Sequence, residues 1–179
     1  MFQSRSSLRR SQAKRPLRRQ ARIENLENRV VMDYSAAVLA DNPFAYYRMN
    51  EAAGPTALNS GSAGAAANGT YTGAIALNAT SLNTNLGKAA DFSGGFVNTI
   101  SSATMGLDVN KSWTVEAWVQ PDVVSGDKSI VGTNATGATD QGLHLIIRNG
   151  QVMMGFYGDD LNPPAPATAG NWYHVVWRY

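Results

Sequence analysis

From Asp41 onward the sequence consists of short apolar alternations separated by clusters of glycine, asparagine, serine and proline. No stretch with a helical period in this region is longer than two turns. Short strands broken by frequent turn residues are typical of antiparallel sandwiches and barrels. This spacing of turn residues therefore predicts an all-β fold for most of the chain.

The strongest local signal is the pair Asn149-Gly150 in "LHLIIRNGQVMMGFY", because a type I′ hairpin turn needs positive φ at both central residues. Pairing across this turn places Arg148 opposite Gln151 and Leu145 opposite Met154. One face is then apolar and predicted to lie in the core: Leu145, Ile147, Val152, Met154 and Phe156. The other face is mixed and predicted to be partly solvated: His144, Ile146, Arg148, Gln151, Met153 and Tyr157.

Two further strands are predicted, in "WTVEAWVQP" and in the closing "NWYHVVWRY". In the first, alternation separates Trp113, Val115, Ala117 and Val119 from Thr114, Glu116 and Trp118. Residues 59–87 are predicted to be mostly loop with one or two short strands. The proline-rich residues 161–170 are predicted to lie at an edge, because proline cannot donate to a ladder.

Charge divides the chain into two parts. Residues 1–32 contain nine Lys and Arg against two Glu, a net +7, whereas residues 33–179 have a net −5. Residues 1–22 are too poor in apolar side chains to order themselves and are predicted to form a disordered basic arm. The basic balance thus belongs to the arm, and the sequence indicates neither specific nucleic-acid binding nor a transmembrane segment. The absence of cysteine excludes disulfides and thiolate metal sites.

Between arm and body, residues 23–33 form a linker that contains "LENRVVM". It resembles the Leu-Glu-Pro-Arg-x-Leu-Leu motif of large exported bacterial proteins, with Asn28 in place of the proline. The resemblance implies a bacterial protein located outside the cell or on its surface. The same residues also fit a short amphipathic helix, in which Ile23, Leu26 and Val30 share a face.

Four segments carry a second resemblance: "VLADNPFAYYRMNEAAG", "KAADFSGGFVNT", "SWTVEAWVQPD" and "NWYHVVWRY". In this order they resemble a laminin G-like domain of the concanavalin A-like lectin/glucanase superfamily, over residues 34–179. The resemblance implies an antiparallel two-sheet jelly-roll sandwich whose ligands meet a concave sheet face or the loops of one rim. The family continues beyond its last motif with further strands, so the resemblance also implies a sandwich that is incomplete at the C-terminus, truncated at Tyr179.

No catalytic residues are predicted. Enzymes of this superfamily that cleave β-glucans carry Glu-x-Asp-x-x-Glu on one strand, because one carboxylate attacks the sugar and another donates a proton. That spacing does not occur here, and Glu116 stands alone on its strand. We therefore interpret Glu116 as structural, and His144 and His174 as residues of a sheet face.

The resemblance does imply binding sites. Laminin G-like domains often hold a calcium ion at the rim, for which the best-placed acids are Asp140, Asp159 and Asp160. The alternative interpretation of these acids, which the sequence favours, is solvated loop charges. A sugar-stacking surface is predicted from four side chains, His144, Arg148, Tyr157 and Trp177. The alternative for Trp177, as for Trp113, Trp118 and Trp172, is a place in the core.

These expectations describe a non-catalytic extracellular module that binds carbohydrate or protein within a larger surface or secreted protein. Two alternatives stay open. The chain is an accessory module of a glycan-cleaving enzyme whose catalytic part lies beyond Tyr179, or it is a structural repeat of an adhesin without a small ligand.

Overall fold

The computed structural model describes residues 33–133, 138–162 and 164–179, apart from the side chain of Asn85. The predicted arm and nearly all of the linker, residues 1–32, lie outside the described residues. The described residues form two short helices, α1 (Tyr34–Ala40) and α2 (Ser102–Met105), and the strands β1 (Thr56–Ala57), β2 (Gly69–Thr72), β3 (Ile75–Thr80), β4 (Lys88–Phe92), β5 (Phe96–Asn98), β6 (Thr114–Val119), β7 (Asp127–Gly132), β8 (His144–Arg148), β9 (Gln151–Phe156), β10 (Asp159–Leu161) and β11 (Tyr173–Arg178).

The strands pair in antiparallel ladders. Their orders are β1-β2-β5, β3-β4, β10-β9-β8-β7 and β11-β6. The predicted all-β class is confirmed, and the arrangement is consistent with a jelly-roll sandwich. Residues 59–87 contain β2 and β3 between loops and short 3-10 turns, as predicted.

The hairpin at Asn149-Gly150 forms with the predicted register, in which Arg148 pairs with Gln151 and Leu145 with Met154. Both turn residues have positive φ, 49° for Asn149 and 77° for Gly150. The tip is bonded to two neighbouring loops. Asn149 and Gly150 donate to the carbonyls of Gly126 and Val124, and Ala167 donates to the carbonyl of Gly150. The Asn149 side chain also accepts from the Gly126 N–H.

The main core lies between the four-stranded sheet β7–β10 and the pair β6-β11. Its buried members come from both sheets and the loops beside them: Trp113, Leu143, Leu145, Met154, Phe156, Val175 and Trp177. The core face predicted for the hairpin is confirmed, with Val152 partly buried against this cluster. The opposite face is less solvated than predicted, because Ile146 and Met153 are also buried.

Strand β11 pairs with β6 along its whole length, from Tyr173 opposite Val119 to Arg178 opposite Thr114. Tyr179 extends the ladder by exchanging backbone hydrogen bonds with Trp113, and the two rings stack with centroids 5.5 Å apart. Because side chains alternate along a strand, β11 turns Val175 and Trp177 into the core and presents His174, Val176 and Arg178 on the outer face.

Residues 165–166 of the proline-rich segment lie at the free edge of β9 beyond the end of β10. Pro166 forms a bridge with Gln151, and Val152 donates to the carbonyl of Ala165. The predicted edge position is therefore confirmed.

Two carboxylates in the N-terminal half of the described chain fix the backbone around them. Asp33 caps α1, since its carboxylate accepts from both the backbone N–H and the hydroxyl of Ser35. This hydrogen bonding lowers the pKa of Asp33. Farther along, Glu51 joins two segments by accepting from the Tyr71 hydroxyl at 2.7 Å and from the Leu58 N–H at 2.8 Å.

Candidate functional site

Two of the predicted ligand residues lie together on the outer face of the sheet β7–β10. In the register, Gly155 of β9 lies between His144 of β8 and Asp160 of β10. Because Gly155 has no side chain, His144 and Asp160 meet above it, with 2.6 Å between Nε2 and Oδ1. The other ring nitrogen lies 2.9 Å from the Gly142 carbonyl oxygen. Both ring nitrogens therefore face protein oxygens.

Arg148 completes this arrangement. It binds both carboxylate oxygens of Asp127, through Nε at 2.7 Å and Nη2 at 2.9 Å, and one oxygen of Asp160 through Nη1 at 3.0 Å. The hydrogen bond from Arg148 holds the pKa of Asp127 below its ordinary value, and the same carboxylates raise the pKa of Arg148. We call Asp127, His144, Arg148 and Asp160 the charge network.

The nitrogen atoms that could bind a ligand at the charge network already contact protein oxygens. Three nitrogens of Arg148 and both nitrogens of His144 already face protein oxygens. A sugar or peptide at this face would have to displace an existing charge-assisted bond, which costs more than binding to a free group. The network links β7, β8 and β10 across β9, a role that stabilises the sheet.

Tyr157 and Asp140 meet at one end of the same sheet. Asp140 has a φ of 63° and donates its N–H to the Tyr157 carbonyl at 3.0 Å. The Tyr157 side chain is 55% exposed. Beside them lies a depression with an apolar floor that includes Leu143 and Phe156 and with Asp108 and Asp140 among its lining residues.

The structure does not gather the three acids proposed for calcium. Asp159 and Asp160 are neighbours on β10, so their side chains leave opposite faces of the ladder. Asp160 is engaged by His144 and Arg148, while Asp140 lines the depression. Within residues 33–133, 138–162 and 164–179, no three His, Asp or Glu side chains are grouped closely enough to hold a metal ion.

Trp177 lies in the core. Its side chain is 3% exposed, and its indole N–H donates to the Met153 carbonyl at 3.1 Å. Of the two interpretations of Trp177, the core position is the one observed. The prediction that Trp177 is part of a ligand surface is wrong.

A second candidate lies on the outer face of β6-β11. The register places Trp118 opposite His174 and Glu116 opposite Val176. The rings of Trp118 and His174 stack with centroids 4.8 Å apart and an angle of 17°, and Tyr34 of α1 contacts Trp118 edge-on. The Glu116 Oε2 lies 3.3 Å from the His174 Nε2. We call Tyr34, Glu116, Trp118 and His174 the aromatic patch.

The surroundings of the aromatic patch are polar. Burial raises the pKa of Tyr34, a change that the Trp118 indole opposes and the negative charge of Glu116 reinforces. Burial also raises the pKa of Tyr46, while the nearby Arg48 lowers it. Tyr46 therefore lies within electrostatic range of Tyr34 and Glu116, and Arg48 lies within range of Tyr46.

The comparisons with known proteins concern the C-terminal part of the chain, which contains the charge network and all of the aromatic patch except Tyr34. Residues 92–179 match the family model described as the Concanavalin A-like lectin/glucanases superfamily. Over this segment, which is just under half of the chain, the sequence is similar to that superfamily. The comparisons with curated proteins and with solved structures gave no match.

The superfamily segment includes β6 to β11 and hence both the charge network and most of the aromatic patch. The sequence identified His144 and Arg148 as neighbours but missed Asp127, which becomes their partner through the β7-β8 register. It also treated Glu116 and His174 separately, although both lie on the outer face of adjacent strands. No helix in the described part of the chain is long and apolar enough to cross a membrane.

Proposed function

We propose that this chain is a non-catalytic extracellular module that binds carbohydrate or protein ligands within a larger bacterial surface or secreted protein. The observation that carries the proposal is the superfamily match over residues 92–179, because lectins bind through the sheets and loops of this fold. The match supports a binding module in general. The extracellular location rests on the resemblance of residues 26–32 to an export motif.

The distribution of carboxylates supports a role without catalysis. Glycoside hydrolysis uses two carboxyl groups on either side of the scissile bond. Strand β6 carries only Glu116, and β8, β9 and β11 carry no acid. Asp127 and Asp160 are engaged by Arg148 in the charge network.

Binding to an array of immobilised glycans, with and without a calcium chelator, tests the proposal. Saturable binding of the chain to defined glycans supports a carbohydrate-binding module, and loss of that binding on chelation shows that a divalent cation takes part in it. Binding that chelation leaves unchanged contradicts a calcium requirement. Hydrolysis of an arrayed glycan, detected by released reducing ends, contradicts the non-catalytic assignment.

A further inference from the structure

The outer face of β6-β11 carries polar groups without protein partners. Within the described residues, Nδ1 of His174 and Oε1 of Glu116 have no hydrogen-bond partner, and His174 and Glu116 touch each other only through Nε2 and Oε2. The two side chains are 34% and 43% exposed. The charge network on the other sheet has its donors occupied, whereas these two polar groups on β6-β11 are open to a ligand.

The aromatic patch is held in a fixed geometry. Trp118 covers one face of the His174 ring and is itself contacted by Tyr34, whose helix is capped by Asp33. Side chains fixed in this way lose little conformational entropy when a ligand binds, which favours affinity. Beside them Val176 is 55% exposed and extends the apolar part of the surface.

This combination restricts the chemistry of a ligand. Glu116 accepts hydrogen bonds and the imidazole of His174 donates them. The ring of His174 together with Val176 also offers an apolar surface. A purely apolar ligand would desolvate the Glu116 carboxylate without compensation, and an anionic group placed against Glu116 would meet its negative charge. A neutral sugar satisfies both requirements, since its hydroxyls donate to a carboxylate while its C–H face packs against a ring.

We propose that the aromatic patch is a binding site for a neutral sugar residue of an oligosaccharide, with Glu116 and His174 as the contacting polar residues. Trp118 and Tyr34 position the imidazole and do not carry the hydrogen bonds. The inference rests on the proposed function and adds the surface and the ligand class.

Titration of the full chain with the best-binding neutral oligosaccharide of a glycan array tests this site. Glu116→Gln and His174→Phe are the test variants; the second keeps a ring against Trp118 and removes the imidazole nitrogens. Asp91→Asn is the matched control, because it makes the same carboxylate-to-amide change at an exposed position of β4, away from both surfaces. Tyr157→Ala probes the rival sugar surface that the sequence predicted on the other sheet. We expect affinity to fall about tenfold or more in each test variant, about the size of a lost hydrogen bond to the ligand, and to stay unchanged in Asp91→Asn. Unchanged thermal unfolding of each variant shows that the fold is intact.

Three outcomes overturn the inference. Loss of binding in Tyr157→Ala but not in the test variants places the sugar on the other sheet and leaves the proposed function standing. A wild-type chain that binds only acidic glycans contradicts the ligand class alone. A chain that binds no glycan but binds a protein removes the sugar site and keeps the protein-binding form of the proposed function.

Discussion

His144 and Asp160 bond at 2.6 Å above a residue that has no side chain, Gly155. A Cβ on Gly155 would collide with the Asp160 carboxylate and would approach the Asp159 carbonyl oxygen to 2.8 Å. The bond between β8 and β10 thus depends on a glycine in β9, and Arg148 reaches the same carboxylate from one side.

Gly155→Ala should destabilise the protein by about 1–3 kcal/mol, since both the backbone of β10 and the Asp160 side chain must shift. Gly132→Ala is the matched control in the same sheet, because its nearest contact is the Ser129 hydroxyl at 3.2 Å. The free energy of unfolding in urea measures both. Equal losses in the two variants would contradict the crowding at Gly155.

Asp127→Asn should make the free energy of unfolding less dependent on acidic pH. The hydrogen bond from Arg148 lowers the pKa of Asp127 from 3.8, so the carboxylate contributes stability above that pH and loses it as the pH falls through the lower folded-state pKa. Denaturation between about pH 5 and about pH 2 measures the effect, which high salt should reduce because Asp127 is exposed. Asp91→Asn, at an exposed site without an ion pair among the described residues, should unfold in acid like the wild type.

Trp177→Ala should cost about 3–5 kcal/mol, because it removes a large buried side chain and the bond of its indole to the Met153 carbonyl. Val176→Ala is the neighbouring control on the outer face and should change stability by about 0.5 kcal/mol or less. Chemical denaturation of the two variants makes the comparison. A small loss in Trp177→Ala would show that its indole is not in the core.

Tyr71→Phe should reduce the sensitivity of the fold to alkaline pH. Burial, and then the hydrogen bond to Glu51, raises the pKa of Tyr71 above its ordinary value of 10. Its contribution is complete below about pH 10 and is lost as the pH rises toward the folded-state pKa. The variant should lose about 1 kcal/mol at neutral pH and show a shallower loss of stability above about pH 10. Tyr157→Phe, at an exposed position, should leave the stability in alkali as in the wild type. An unchanged dependence of stability on alkaline pH in Tyr71→Phe would contradict the role of Tyr71.

The sequence predicted best what local rules decide. The register of β8-β9 follows from Asn149-Gly150, since two residues with positive φ leave one way to close a two-residue turn. The core face of β6 follows from alternation alone. In each case the deciding residues are adjacent in the chain.

The candidate sites depended on pairings that the sequence does not contain. Asp127 and Arg148 are brought together by the β7-β8 register, which includes a shift between Ser129 and Val131, and His144 reaches Asp160 across a third strand. Residues expected to be free for a ligand are therefore engaged. The core position of Trp177 could have been predicted from the sequence. Side chains alternate along β11, so Trp177 and His174 lie on opposite faces of the strand.

The tip of the β8-β9 hairpin has a practical consequence for protein engineering. Exposed hairpin turns are the usual places for inserted tags or linkers. Here an insertion between Asn149 and Gly150 would separate the loops 124–126 and 165–167 from the turn that joins them. The turn at Gly94, between β4 and β5, has open space where a Cβ would lie and is the better position for an insertion, with Gly94 itself kept because its φ is 122°.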